Sequence, residues 1–400
     1  YVQGLAAAGL LLLAAGCAEH EPPEIITAQE PADMVLINGG IYTVDPQRNW
    51  AEAAAIHDGM IVALGSNAEM QERVGPDTRT IDLSGKMALP GFHDAHVHPM
   101  MGGYALGGCN LENEATVEAI LARMSACSYA QKEGWLEGHA FDLSLFGQNG
   151  PHRSLLDAID EHRPMILWAS DGHNAWANTR ALELAGIGAD TVDPALGVIE
   201  RDPDGLPSGT LRETAQEMVR AVMPRPTQES NITALRRGIE HLNANGITSF
   251  IDAWVGEEDY QAYQTIDRAG ELNARVVTSL TYESGFAKHY GEDFDRVLAS
   301  RGQYESERLS HDSVKLFLDG VLEGETAALV EPYGDMHGKR GDLILQEEAL
   351  NRAVTRCDAM GLQVHMHAIG DRAVRAALDA SEAAQTTNGI SDNRHHISHL

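Results

Sequence analysis

Short apolar runs separated by turn residues fill positions 34–88, and a slower alternation of apolar runs and helical stripes follows from Pro90. Val35-Leu36-Ile37 meets Asn38-Gly39-Gly40 and resumes as Ile41-Tyr42-Thr43-Val44. Ala53-Ala54-Ala55-Ile56 meets His57-Asp58-Gly59 and resumes as Met60-Ile61-Val62-Ala63-Leu64. Asn-Gly and Asp-Gly between apolar runs signal tight hairpins. Two hairpins in a small β subdomain of sandwich type are expected over residues 33–88.

Beyond Pro90 the pattern predicts strands at 246–254, 274–282, 313–319, 361–367 and 395–399, with helices between them. Residues 231–243 place Ile232, Leu235, Ile239 and Leu242 on one face, and Gly246 follows as a stop. Residues 346–360 align Leu350, Val354 and Cys357, and residues 371–384 align Val374, Ala377 and Leu378. These spacings fit the helical period. Strands alternating with helices argue for a parallel sheet.

A first strand ending at His98 lies far from the next at Gly246, leaving room for an inserted lobe over about 103–230. The expected architecture is an α/β (β/α)8 TIM barrel over 89–400. Six of the eight strands such a barrel needs fall within the sequence, so its closing strands are expected beyond Leu400.

Composition narrows the function. Of 400 residues, 43% are hydrophobic, enough for a large core. The formal charge of −30 disfavours nucleic acid and anionic lipid as partners. Leu5 to Ala15 is too short to span a bilayer. With Gly16-Cys17 after it, this run reads as the apolar part of an export signal over 1–17. Leu13-Ala14-Ala15-Gly16-Cys17 resembles a bacterial lipobox, which implies acylation of Cys17 and a periplasmic or outer-membrane-anchored lipoprotein; plain secretion is the alternative. Residues 18–32 read as a tether. Cys109, Cys127 and Cys357 have no CxxC spacing and are expected as buried free thiols.

The chemistry lies where strands end. His96 and His98 are two apart, so a strand projects both from one face. Lys315, His367 and His399 also sit at strand ends, and the C-terminal mouth of a barrel is where its active site forms. Neutral imidazoles converging from several strands suit a catalytic divalent metal. Lys315 is read either as a carbamate bridging two ions or as an ordinary rim lysine. His365 shares a strand face with His367 and is expected inside the barrel; His395 and His396 are expected not to be ligands. His173 either contacts substrate from the inserted lobe or caps a turn, and Glu213 has no evident purpose. Asp319 and Asp371 are expected to orient ligands or to pair with Arg372. Trp168 and Trp176 are expected as packing.

Pro90-Gly91-Phe92-His93-Asp94-Ala95-His96-Val97-His98, Ser170-Asp171-Gly172-His173-Asn174-Ala175-Trp176, Val314-Lys315 with Asp319-Gly320, and His367-Ala368-Ile369-Gly370-Asp371 together resemble the metal-dependent amidohydrolase superfamily. Within it they look like amidohydrolase family 3, the group containing N-substituted formamide deformylase, over about Met34 to Leu400. The resemblance implies hydrolysis of a non-peptide C–N bond in a small amide, formamide or cyclic amide. It also implies one or two divalent ions held by His96, His98, Lys315, His367 and His399. Zinc is the expected ion, although iron, manganese or nickel also suit these donors. The superfamily's catalytic aspartate ends strand eight and is expected beyond Leu400, so residues 1–400 are expected to be almost inactive on their own. An esterase, lactonase or phosphotriesterase on the same scaffold is the competing enzyme, and a non-catalytic periplasmic binding lipoprotein is the competing non-enzyme.

Overall fold

A computed structural model describes residues 31–47, 49–147, 150–282, 294–334 and 338–400. Cys17 and the export segment lie outside them. Among the described residues no helix is long and apolar enough to cross a membrane. The chain divides into two compact units, 1–90 and 91–400.

The first unit contains strands β1 (Met34–Ile37), β2 (Gly40–Tyr42), β3 (Trp50–Ala51), β4 (Ala53–His57), β5 (Met60–Gly65), β6 (Arg79–Asp82) and β7 (Met87–Ala88). They form a four-stranded sheet, β5-β4-β1-β6, and a three-stranded sheet, β3-β2-β7. The expected hairpin at Asp58-Gly59 is present as the antiparallel β4–β5 pair. Positive φ at both turn residues, 48° and 74°, matches the right-handed twist of the strands. The expected hairpin at Asn38-Gly39 is not formed. β1 pairs with β4 and β6, whereas β2 pairs with β3 and β7, so this turn carries the chain from one sheet to the other. A local turn signal gives the change of direction but not the pairing partner.

In the second unit, β8 (Phe92–Val97) opens a parallel sheet that continues with β15 (Ile247–Val255), β16 (Arg275–Thr281), β17 (Leu309–Phe317), β18 (Gln363–His367) and β19 (His396–Ser398). Spatial order follows chain order, as expected for a TIM-barrel architecture. Between β8 and β15 lies the lobe, whose strands are β9 (Cys109–Asn110), β10 (Leu136–Phe141), β11 (Met165–Ala169), β12 (Asn174–Ala177), β13 (Gly197–Arg201) and β14 (Pro207–Glu213). They make a separate mixed sheet in the order β13-β14-β12-β11-β10-β9. Trp176 is fully buried there against Phe141 and Phe146, and Trp168 stacks under Arg220, so both tryptophans are packing residues.

The helices form as the stripes predict, with one correction. Gln228–Ala244 buries Leu235 and Ile239, and Glu347–Ala359 buries Leu350, Val354 and Cys357. In Asp371–Asn388 the buried face is Ala373, Ala376, Ala377, Ala380 and Ala384, and Leu378 is 56% exposed. Close approach to the neighbouring helix favours methyl side chains at this face, so the leucine does not mark it.

The thiol expectation also needs correcting. Cys109 and Cys127 form a disulfide joining β9 to the helix Val117–Ala130, and Cys357 alone is free among the described residues. No spacing motif encodes this bond; it follows from a strand and the helix after it folding back together. Cross-linking positions 18 apart restricts the unfolded chain, which corresponds to about 3 kcal/mol. Cys109→Ser is therefore expected to lower the denaturation midpoint of the oxidised protein and to remove its sensitivity to reductant.

One helix crossing sets the position of His98. It immediately precedes the helix Pro99–Gly107, which crosses Gln228–Ala244 at two glycines. A Cβ on Gly103 would stand 1.7 Å from the Ala234 oxygen, and one on Gly238 would stand 2.0 Å from the Pro99 oxygen. Gly238→Ala is expected to destabilise by roughly 1–3 kcal/mol through overpacking and to reduce metal retention by displacing the chain beside His98. Thermal melting with metal titration checks both effects.

Candidate active site

Parallel register brings distant residues into rows. Lys315 on β17 stands beside His365 on β18, which stands beside His396 on β19. Because alternate residues share a face, His367 lies one step further toward the strand ends, in register with Phe317 and Ser398.

The sheet curls enough that side chains from its two edge strands approach one another. The His96 ring centroid is 5.1 Å from His98, 4.7 Å from His365 and 4.4 Å from His399. His367 lies 4.7 Å from His399 and 5.2 Å from His173. Lys315 is 1% exposed and lies over the Phe317 ring. All five residues expected as ligands therefore converge, with His365 and His173 among them.

Burial governs their protonation. It lowers His96 to about 2, His98 to about 3, His367 to about 2 and His399 to about 4, with neighbouring positive groups adding to the effect. These imidazoles are neutral at neutral pH and carry a lone pair for a cation. Burial also brings the Lys315 amine down to about 7, within reach of its neutral, nucleophilic form.

The donor set fits a divalent metal on two counts. Its imidazoles are neutral, and His98 Nδ1 is buried with no hydrogen-bond partner. Among the described residues no three His, Cys, Asp or Glu side chains stand ready to grip a single ion. The imidazoles instead engage one another: His96 Nδ1 faces His365 Nε2 at 2.8 Å, and that nitrogen also meets Ser398 Oγ at 2.7 Å.

The surrounding residues divide into separate roles. Asp319 accepts backbone N–H bonds from Ala328, Ile369 and Gly370, with its nearer oxygen 3.7 Å from His367 Nε2. It clasps the loops after β17 and β18, and burial raises it to about 6 despite those bonds. Asp371 accepts from the Val330 N–H, which makes it a loop clasp as well. His395 turns away to Asp358 and accepts from the Val364 N–H, whereas His396 packs 3.9 Å from His365. His173 does not simply cap a turn. Its Nδ1 lies 2.8 Å from Glu213 Oε2, which gives Glu213 the role that its sequence context does not reveal. Burial disfavours charge on His173, but the Glu213 carboxylate outweighs it and raises the imidazole. Trp254, edge-on to His98 and packed against Phe317, also belongs to the site; an isolated aromatic at a strand end carries no spacing signal.

The sequence pattern of the amidohydrolase family matches residues 79–400. The chain belongs to the amidohydrolase family. It is 30% identical to Protein LONG AFTER FAR-RED 3 of Arabidopsis thaliana, over 92% of the chain and 64% of that protein. It is 27% identical to N-substituted formamide deformylase of Arthrobacter pascens, over 88% of the chain and 66% of that protein. The structure of an uncharacterised metal-dependent hydrolase from Pyrococcus horikoshii superposes with a TM-score of 0.65 at 28% identity, covering 87% of this chain and 68% of that one. The chain thus spans about two thirds of the length of these relatives.

Proposed function

We propose that the intact protein hydrolyses a small, non-peptide amide-type C–N bond, with His96, His98, His367 and His399 as metal ligands and Lys315, as its carbamate, bridging two ions. The convergence of these five side chains from separate strands carries the reading. A bound divalent cation, zinc by donor type, supplies Lewis acidity and lowers the pKa of coordinated water. The residues of this chain hold neutral donors in place, keep the amine of Lys315 dry enough to react with carbon dioxide, and present His173 toward the substrate side. The deformylase relative supports C–N chemistry. The Cys109–Cys127 disulfide supports export to an oxidising compartment, in keeping with a lipid anchor at Cys17.

The test is elemental analysis of the intact protein, followed by turnover of amides, lactones and organophosphates. Two equivalents of transition metal with amide hydrolysis are expected. One equivalent removes the bridging role of Lys315. Ester turnover without amide turnover overturns the substrate class, and a metal-free, inactive protein overturns the mechanism.

A further inference from the structure

Glu213 ends β14 in the inserted lobe, 2% exposed, with a φ of 52°. A left-handed glutamate is uncommon, and surrounding contacts must hold it there. Two of these contacts reach back to one residue: the Glu213 N–H donates to the His173 carbonyl at 2.7 Å, and Oε2 meets His173 Nδ1. Its other oxygen, Oε1, accepts from the Thr326 hydroxyl in the loop after β17, and that hydroxyl accepts from the Val321 N–H at 2.9 Å. The same loop includes Gly320, where an added Cβ would stand 2.3 Å from Glu213 Oε1. The Gly320 carbonyl lies 3.1 Å from His367 Nε2. One carboxylate therefore touches the lobe histidine that faces the site and the loop that orients a barrel histidine.

We infer that Glu213 is a positioning residue that fastens His173 and the Gly320–Thr326 loop together, so that the inserted lobe sets the geometry of the histidine cluster. The inference rests on the hydrolase reading of that cluster. A carboxylate only accepts hydrogen bonds, so a ring hydrogen of His173 lies on Nδ1, in a ring whose centroid is 5.2 Å from that of His367. Carboxylate partners of this kind orient imidazoles around metal centres, and their loss costs about 10–100-fold in affinity or activity.

The experiment uses 15N-histidine NMR on the intact, metal-free protein, with the His173 signal identified by its absence from His173→Asn. Nδ1 protonation is expected in the wild type and its loss in Glu213→Leu, which offers the Nδ1 hydrogen no acceptor. With metal restored, Glu213→Gln and Thr326→Val are each expected to lower kcat by about 10–100-fold, with KM within about twofold and an unchanged melting midpoint. Should the Glu213 variants fail to fold, Thr326→Val decides: it removes the hydroxyl, and the same fall in kcat is expected. The inference is overturned if Nδ1 stays protonated in folded Glu213→Leu, or if kcat falls only as far as the folded fraction does. A wild type without turnover overturns the hydrolase reading instead, and the NMR result still decides the role of Glu213.

Discussion

Lys315→Met should make the metal-free protein more stable at pH 6, and the gain should fade as the pH rises. Lys315 is 1% exposed, with neutral imidazoles around it and, among the described residues, no acidic partner lowering the cost of its charge. Its pKa falls from 10.5 to about 7 through burial, which corresponds to a penalty of up to about 5 kcal/mol for the charged form. Below about pH 7 the amine is protonated both folded and unfolded, so the penalty is complete. Between about 7 and 10.5 the unfolded chain binds more protons than the folded one, so stability climbs with pH. Above that range the penalty is gone. Methionine has similar length and no charge, so the variant lacks this slope. Denaturant unfolding at pH 6, 8 and 10 measures it, and parallel curves for the two proteins would contradict the assignment. A buried amine this costly to charge favours its uncharged, reactive form, which supports the proposed carbamate.

His98→Ala is expected to abolish metal retention at one position and to reduce hydrolysis by more than about 10²-fold, beyond the loss typical of an indirect partner. His98 has a buried Nδ1 without a partner and a neutral ring edge-on to Trp254. Alanine removes the donor and leaves a small cavity beside a helix start, so stability should change much less than activity. Metal content by elemental analysis, measured beside kcat and the melting midpoint, separates the two effects. Full metal content in His98→Ala would remove this residue from the ligand set.

Strands β15 to β18 are readable in the sequence because parallel strands buried on both faces keep a largely apolar run, whereas β8 and β19 are marked by the histidines at or beside their ends. The two clearest helices are readable from leucine, isoleucine and valine stripes. Asp371–Asn388 departs from its stripe because its contact face is alanine, which hydrophobic periodicity weighs lightly. Asn38-Gly39 departs from its hairpin because turn chemistry is local and sheet membership is not. Cys109–Cys127 and His173–Glu213 are hidden for the same reason: each joins residues whose proximity depends on the lobe's own topology. His96, His98, Lys315, His367 and His399 are legible as a set, whereas the direct engagement of His365 with His96 requires the curl of the sheet.

Chain order and sheet order coincide from β15 to β19, so each new strand emerging during synthesis can dock on the one just made. The first strand is different. His93 on β8 and its partner Ser249 on β15 are 156 positions apart, and a complete second sheet lies between them. Long-range pairing of this kind is slow, because loop closure precedes any reward. Nascent β8, with His96 at its end, therefore waits for the lobe to mature, and a delay in forming the Cys109–Cys127 bond should expose that strand to chaperones and proteases.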